Sequence, residues 1–482
     1  MKPIRPLAVL VSTLLLLGAC RHAADAPIRA NPEQDESVVD LDFDPFDFSK
    51  AKSSPLERIT FNVDESTKAK FLVASFELSD KGYLFRPTQA AQISRLVRKE
   101  SNGDGTIVIA LVHGWKHNAT PCDDNLSCFR SVLRRVAAEE TLLAKAKGRA
   151  PRAVIGAYVG WRGLSYCSEP AKEFSFYDRK RQAHWNGQLK ARDILQTLRT
   201  VVAEMNDTRE AGTPPSRLIT VGHSFGAAVV FSAVAPELIE DLEFKRERAT
   251  RKGLRTLEPI EPFGDLVVLV NPAFEAQRYA VFDRAINDIQ REGRSFDPKQ
   301  KPVLVTISSE GDGATHYFFP VGQGLNLVFQ PLKLLRFWSW GLHTMTVGNY
   351  PPYRTHDALA RTPAEAKSRR EREASSHTCY GGVLRDPAVC DCSNEVNLNE
   401  LIARLETAPP AKGTPYGNVD LRAREGLPKN NPFWVIKASK GVIKDHGDLF
   451  NPTLVTFLYE VVGEAAFGLS TRAPADATVR AE

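Results

Sequence analysis

The chain has 482 residues, of which 43% are hydrophobic and 25% charged, a composition typical of folded globular proteins. The formal net charge of +5 is too small to indicate a nucleic-acid-binding protein. The length alone allows one large domain or two to three smaller ones.

The first nineteen residues have the pattern of a signal peptide. Lys2 and Arg5 precede an apolar run over residues 7–17, which is too short to span a bilayer. The segment ends at Cys20 in a pattern that resembles the bacterial lipobox, in which the cysteine is lipidated and becomes the mature N-terminus. The resemblance implies a palmitate-bearing membrane anchor at Cys20, and Arg21 after it, rather than an aspartate, favours the outer membrane. The alternative is an ordinary signal peptide with an incidental cysteine.

Residues 20–55 are rich in Asp, Pro, Ser and Ala, which predicts a flexible tether. From there to residue 320, apolar β-branched runs alternate with amphipathic stretches, the pattern of a parallel sheet covered by helices. The predicted strands are 58–63, 69–76, 106–112, 152–161, 218–222, 265–271 and 302–308. The predicted helices are 89–99, 126–147 and 177–205.

The pattern is lost between residues 321 and 435, which predicts a large insertion or cap over the sheet edge. Pattern returns in residues 436–468, where residues 451–462 form a predicted closing helix. Residues 469–482 read as a disordered tail. The core is therefore predicted in two parts, residues 56–320 and 436–468.

Six cysteines remain after Cys20, and an even number in an exported chain indicates disulfides. Cys122 and Cys128 are close in sequence and form the simplest predicted pair. The insertion carries a second cluster, made of His377, Cys379, Cys390 and Cys392. We expect disulfides among its three cysteines, one of which could instead pair with Cys167. A zinc site is the alternative for this cluster.

One strand ends in Gly222-His223-Ser224-Phe225-Gly226, a G-x-S-x-G sequence followed by small and apolar residues at helical spacing. A serine on so sharp a strand-to-helix turn is held in strained geometry with its hydroxyl clear of the sheet edge, as a nucleophile requires. Glycines fit at both ends because side chains there would collide with the neighbouring strand or helix. The alternative is a glycine-bounded turn in which Ser224 only caps a helix.

With this motif the chain resembles the α/β-hydrolase superfamily of serine esterases and lipases, in a branch of exported bacterial hydrolases. The resemblance is carried by VHGWKHNA, YVGWRG, GHSFG, LVNPAFEA and SSEGD, and by the chain order of serine, acid and histidine. It implies the α/β-hydrolase fold, with a mostly parallel central sheet, helices on both faces and a cap before the catalytic histidine.

A serine nucleophile needs a base, and His446 lies in a polar loop just before the closing helix. His356 is the alternative base. The acid must hold the imidazole tautomer, and Asp312 follows a late strand. Glu310 and Glu275 are the alternative acids.

The resemblance also implies an oxyanion hole made by the backbone N–H groups of Phe225 and Trp115, with His113 in a structural role. We therefore expect an exported, membrane-anchored serine hydrolase of small-molecule or lipid esters that needs no metal or organic cofactor. Two alternatives stay open: a non-catalytic envelope lipoprotein that uses the scaffold for binding, and an acyltransferase on the same triad.

Overall fold

The structure, a computed structural model, describes residues 38–43, 46–47, 50–51, 54–163, 171–321, 323, 340–360 and 419–467. The predicted signal peptide, the Cys20 anchor, the cysteine cluster and the tail lie outside these residues, as do Cys167 and most of the predicted tether. None of the helices in the described part of the chain is long and apolar enough to cross a membrane.

The described residues form an α/β structure around one mixed sheet of eleven strands, which confirms the predicted class. The strands are β1 Val39–Asp42, β2 Leu56–Asn62, β3 Lys68–Leu78, β4 Thr106–Val112, β5 Ala153–Trp161, β6 Arg217–His223, β7 Leu266–Val270, β8 Leu304–Ser309, β9 His356–Ala360, β10 Val419–Ala423 and β11 Phe433–Ala438. The order across the sheet is β1-β2-β3-β5-β4-β6-β7-β8-β11-β9-β10. Neighbours from β3 to β9 in this order are parallel, whereas β2 runs antiparallel to β3 and β10 antiparallel to β9.

Apolar side chains of the central strands alternate between two buried cores, one on each face of the sheet. The helices are α1 Gln89–Ser101, α2 Asp124–Ala146, α3 Ala171–Gln188, α4 Lys190–Asp207, α5 Phe225–Lys252, α6 Ala280–Arg291, α7 Trp340–Thr344 and α8 Pro452–Phe467. The first core includes residues of α1 and of α3 to α6, and the second includes residues of α2 and α8. Helices therefore cover both faces, as a central parallel sheet requires.

Every predicted strand and helix has a counterpart, with three differences of organisation. Part of the predicted tether over residues 20–55 is folded, because β1 lies inside it, pairs with β2 and buries Leu41. The predicted helix over 177–205 is two helices, α3 and α4, because the chain breaks at Leu189, whose φ and ψ of −113° and −123° are not helical. The predicted insertion over 321–435 also contributes to the sheet: β9 and β10 lie inside it, and β11 begins in it and pairs with β8.

The strand order places a switch point beside β4. The chain runs from β4 to β5 on one side and then crosses to β6 on the other. In open parallel sheets, such a point leaves a crevice at the carboxyl ends of the two strands, where ligands commonly bind. Here β4 leads into His113 and β6 leads into Ser224.

Candidate active site

Ser224 sits at the junction of β6 and α5 in a backbone conformation that side-chain-bearing residues rarely adopt. Its φ is 56° and its ψ is −119°. Its N–H donates to the carbonyl oxygen of Val270 (3.0 Å), and its own carbonyl accepts from the N–H of Ala273 (3.1 Å). Two backbone bonds, one to the end of β7 and one to the loop after it, thus hold the strained residue, and strain maintained in this way is typical of functional sites.

The glycines around Ser224 are required by close packing. A Cβ on Gly226 would lie 2.1 Å from the carbonyl oxygen of Val112, and one on Gly222 would lie 2.7 Å from the Cα of Ala227. A Cβ on Gly114 would lie 2.8 Å from the Cβ of Ser224. The turn therefore packs backbone to backbone against the end of β4, and only glycine fits at these positions.

The ring of His446 lies between Ser224 and Asp312. Its Nε2 is 2.7 Å from Ser224 Oγ, and its Nδ1 is 2.9 Å from Asp312 Oδ2. A carboxylate only accepts, so Nδ1 carries the proton and Nε2 is left to accept from the serine hydroxyl. Ser224 and Asp312 are 88 residues apart in the chain, and Asp312 and His446 are 134 residues apart, yet the fold brings all three side chains together.

Asp312 is fully buried and has several donors. Its Oδ1 accepts from the N–H of Thr315 (3.0 Å), and its Oδ2 accepts from Thr315 Oγ1 (2.5 Å) as well as from His446. Burial alone would raise the pKa of Asp312, but the charge of His446 and the hydrogen bonds from His446 and Thr315 outweigh it and lower that pKa. The carboxylate thus stays ionised near neutral pH.

The loop that carries His446 is held by two side chains, each bonded to its backbone. His223 Nε2 donates to the carbonyl oxygen of His446 (2.8 Å), and burial followed by the charge of His446 lowers the pKa of His223 to about 3. Asn271, at φ 45°, donates from Nδ2 to the carbonyls of Asp445 (3.1 Å) and His446 (2.9 Å). The Oδ1 of Asn271 accepts from the N–H of Ser309 (2.9 Å), which ties the histidine loop to β8.

Neither the role of Asn271 nor that of His223, beyond its place in the motif, was predicted from the sequence. An Asn-Pro pair directly after a buried strand was the available signal for Asn271, because asparagine tolerates positive φ better than most residues.

The loop after β4 lies beside Ser224, as the contact at Gly114 shows. Phe225 is the first residue of α5, so its N–H points out of the helix N-terminus, where the helix dipole favours negative charge. His113 is fully buried; its Nε2 accepts from the N–H of Trp161 (2.9 Å) and its Nδ1 donates to the carbonyl of Gly114 (2.8 Å). Burial lowers the pKa of His113 to about 4, so it is a neutral residue that shapes the loop.

The alternative acids and base lie elsewhere. The Glu310 side chain is exposed, and Glu275 pairs with Lys180 and accepts from Gln323 Nε2 (3.1 Å). His356 is on β9, with its Nδ1 2.8 Å from Thr355 Oγ1 and its ring against Trp434.

Cys122 and Cys128 are not joined by a disulfide, so the predicted pair is wrong. Cys122 is exposed, before α2, with its Sγ 4.0 Å from Thr120 Oγ1, whereas Cys128 is buried on α2 in the second core. Within the described ranges no group of three or more His, Cys, Asp or Glu side chains could hold a metal ion. The cysteine cluster that carried the zinc alternative is outside those ranges.

No protein-family model matches the chain, and no curated protein matches it either.

Proposed function

We propose that this chain is a serine hydrolase of carboxylic esters with an α/β-hydrolase fold. The observation that carries the proposal is the continuous hydrogen-bonded series from Ser224 Oγ through His446 to Asp312 Oδ2. The elbow geometry at Ser224 and the order of serine, acid and histidine along the chain support it.

In the proposed reaction, Ser224 Oγ attacks the acyl carbon of the ester while His446 Nε2 accepts the hydroxyl proton. The backbone N–H groups of Phe225 and Trp115 stabilise the oxyanion. His446 then donates the proton to the leaving alcohol, and the acyl group remains on Ser224. His446 then takes a proton from a water molecule as the water attacks the acyl-enzyme, and it returns that proton to Ser224 Oγ as the acid leaves.

Asp312 serves the reaction by keeping the imidazole in the tautomer whose Nε2 can accept a proton. It also stabilises the imidazolium that forms during the attack. Side-chain exposure of His446 is 26%, which leaves an edge of the ring open to an incoming ester or water.

We further propose a lipid anchor on Cys20 that holds the enzyme at the bacterial outer membrane. The leader sequence and the cysteine at its end support this anchor. The proposed substrates are small-molecule or lipid esters, because an anchored enzyme meets both.

A panel of acyl p-nitrophenyl esters of graded length tests the proposal on the protein lacking residues 1–20. We expect hydrolysis by the parent and a loss of up to about a millionfold in turnover in Ser224→Ala. The acyltransferase alternative predicts that an added alcohol captures the acyl group in preference to water. A folded parent that cleaves none of the esters would favour the non-catalytic alternative.

A further inference from the structure

A buried series of polar side chains begins at the carboxylate of Asp312 and takes no part in the proposed proton transfers. Its first member is Thr315, which is 1% exposed and donates its hydroxyl proton to Asp312 Oδ2. That oxygen is the one that also accepts from His446 Nδ1. The Thr315 hydroxyl and the imidazole of His446 therefore donate to the same carboxylate oxygen, so the direction of the hydroxyl affects how that oxygen is held.

The second member is Asn349, which is also 1% exposed and lies in the short helical turn Val347–Asn349. Its Nδ2 donates to Thr315 Oγ1 (3.0 Å) and to Thr346 Oγ1 (3.0 Å). Both amide protons are thus used, and the amide oxygen faces the other way.

The third member is Lys437 on β11, only 6% exposed. Its Nζ donates to Asn349 Oδ1 (2.5 Å) and to the carbonyl oxygen of Ser309 (2.9 Å). Burial, and next the charge of Arg354, lower the pKa of Lys437 to about 8, while Asp312 and Glu310 act to raise it. The amine is therefore mainly protonated at neutral pH.

The cation fixes the direction of every hydrogen bond in the series. An ammonium group has donors only, so the atom of Asn349 that faces Lys437 must be the oxygen, and the NH₂ group must face Thr315. A hydroxyl that accepts from this amide keeps its own proton for Asp312. With Lys437 removed, the amide of Asn349 can turn over, and the Thr315 proton can then point at Asn349 instead of Asp312.

We propose that Lys437 and Asn349 are positioning residues that act through Thr315 to aim and hold the carboxylate of Asp312. The proposal rests on the proposed function, because it assigns these residues to the same reaction. Hydrogen-bond partners that orient metal-binding side chains change affinity or activity by about 10- to 100-fold, and we expect effects on the same scale for partners that orient Asp312. The rival is a purely structural role, in which Lys437 only stabilises the contact between β11 and the end of β8.

A double-mutant cycle on turnover separates the two roles, with p-nitrophenyl acetate as the substrate. Thr315→Val removes the hydroxyl at nearly constant volume and is expected to lower kcat about 10- to 100-fold at unchanged KM. Thr315→Ser keeps the hydroxyl and should stay within about threefold of the parent. Lys437→Met should lower kcat about tenfold, whereas Lys440→Met, at an exposed lysine three residues along, should not lower it.

The decisive comparison is Lys437→Met made in the Thr315→Val protein. If Lys437 acts through Thr315, the second change lowers kcat by less than about threefold further, although it still lowers the melting temperature as it does in the parent. Full additivity in kcat would overturn the proposal, as would a Thr315→Ser variant as slow as Thr315→Val. Should Lys437→Met not fold, Asn349→Leu replaces it in the same cycle with the same expectations.

Failure of this inference is distinguishable from failure of the proposed function by the rate of covalent labelling with a fluorophosphonate. A parent that is not labelled at Ser224 overturns the proposed function and this inference with it. A labelled parent whose Lys437→Met variant reacts at the parent rate overturns this inference alone.

Discussion

Replacing Asp312 by asparagine keeps the size of the side chain but exchanges one acceptor for a donor. In the parent, Asp312 Oδ1 accepts from the N–H of Thr315, and Oδ2 accepts from Thr315 Oγ1 and from His446 Nδ1. The new NH₂ group must take one of these two places, and both are surrounded by donors.

If the NH₂ group takes the Oδ1 place, it faces the backbone N–H of Thr315 at about the present 3.0 Å. Two buried donors then oppose each other, which costs about 1–3 kcal/mol. If it takes the Oδ2 place, it opposes the hydroxyl of Thr315 at a similar cost, and the clash with His446 Nδ1 is relieved when His446 moves its proton to Nε2. That tautomer is stable, but its Nε2 can no longer accept the proton of Ser224.

We therefore expect Asp312→Asn to fold and to lose about ten-thousandfold in kcat, as the equivalent change does in a known serine protease. That factor corresponds to about 5.5 kcal/mol in the activation barrier. The free energy of unfolding should fall by no more than about 3 kcal/mol, the cost of one opposed pair of donors.

The assay is steady-state hydrolysis of a p-nitrophenyl ester, with urea unfolding of the same samples. Glu310→Gln is the matched control, because it makes the same chemical change two residues away on an exposed side chain. Its kcat should stay within about threefold of the parent. If Glu310→Gln loses the activity and Asp312→Asn keeps it, the assignment of the acid is wrong; if both stay active, the acid comes from another part of the chain.

Two further predictions concern acid stability and the anchor. His113, His184 and His223 are buried and neutral, with pKa values lowered by burial to about 4, 3 and 3. Below pH about 6.5, the ordinary histidine pKa, these three side chains bind protons in the unfolded chain but stay neutral in the folded protein. The free energy of unfolding should therefore decrease as the pH falls from about 6.5 towards their folded-state pKa values. Urea unfolding at pH 7 and pH 4.5 should show a smaller loss for His184→Gln than for the parent, and equal losses would contradict the argument. Separately, Cys20→Ser should block lipidation of the precursor in a bacterial host, and mass spectrometry that finds an unmodified mature N-terminus elsewhere in the parent would refute the anchor.

Elements with a local sequence pattern could be predicted, whereas elements that depend on distant partners could not. The central strands are continuous apolar runs, buried on both faces, and such runs are recognisable without any partner. Strand β11 has a similar apolar run, but it was not predicted because the end of the predicted insertion, at residue 435, divides it. Short edge strands such as β9 and β10 owe their structure to pairing with strands distant in sequence, and local pattern does not report such pairing.

Site residues divide in the same way. Ser224 stands in a local motif, and the positions of His446 and Asp312 after particular strands follow from chain order. Asn271 and Lys437 carry no local motif, because their roles arise from bonds to groups 38 to 175 residues away. Polar residues of this kind become interpretable only when the fold has brought their partners to them.

Covalent capture of the nucleophile tests the central claim most directly. The purified protein lacking residues 1–20 is treated with a fluorophosphonate, digested, and mapped by mass spectrometry. We expect one adduct per chain on the peptide that contains Ser224, and none on folded Ser224→Ala. Labelling that persists on the folded Ser224→Ala protein, or an adduct on a different residue of the parent, would contradict the account.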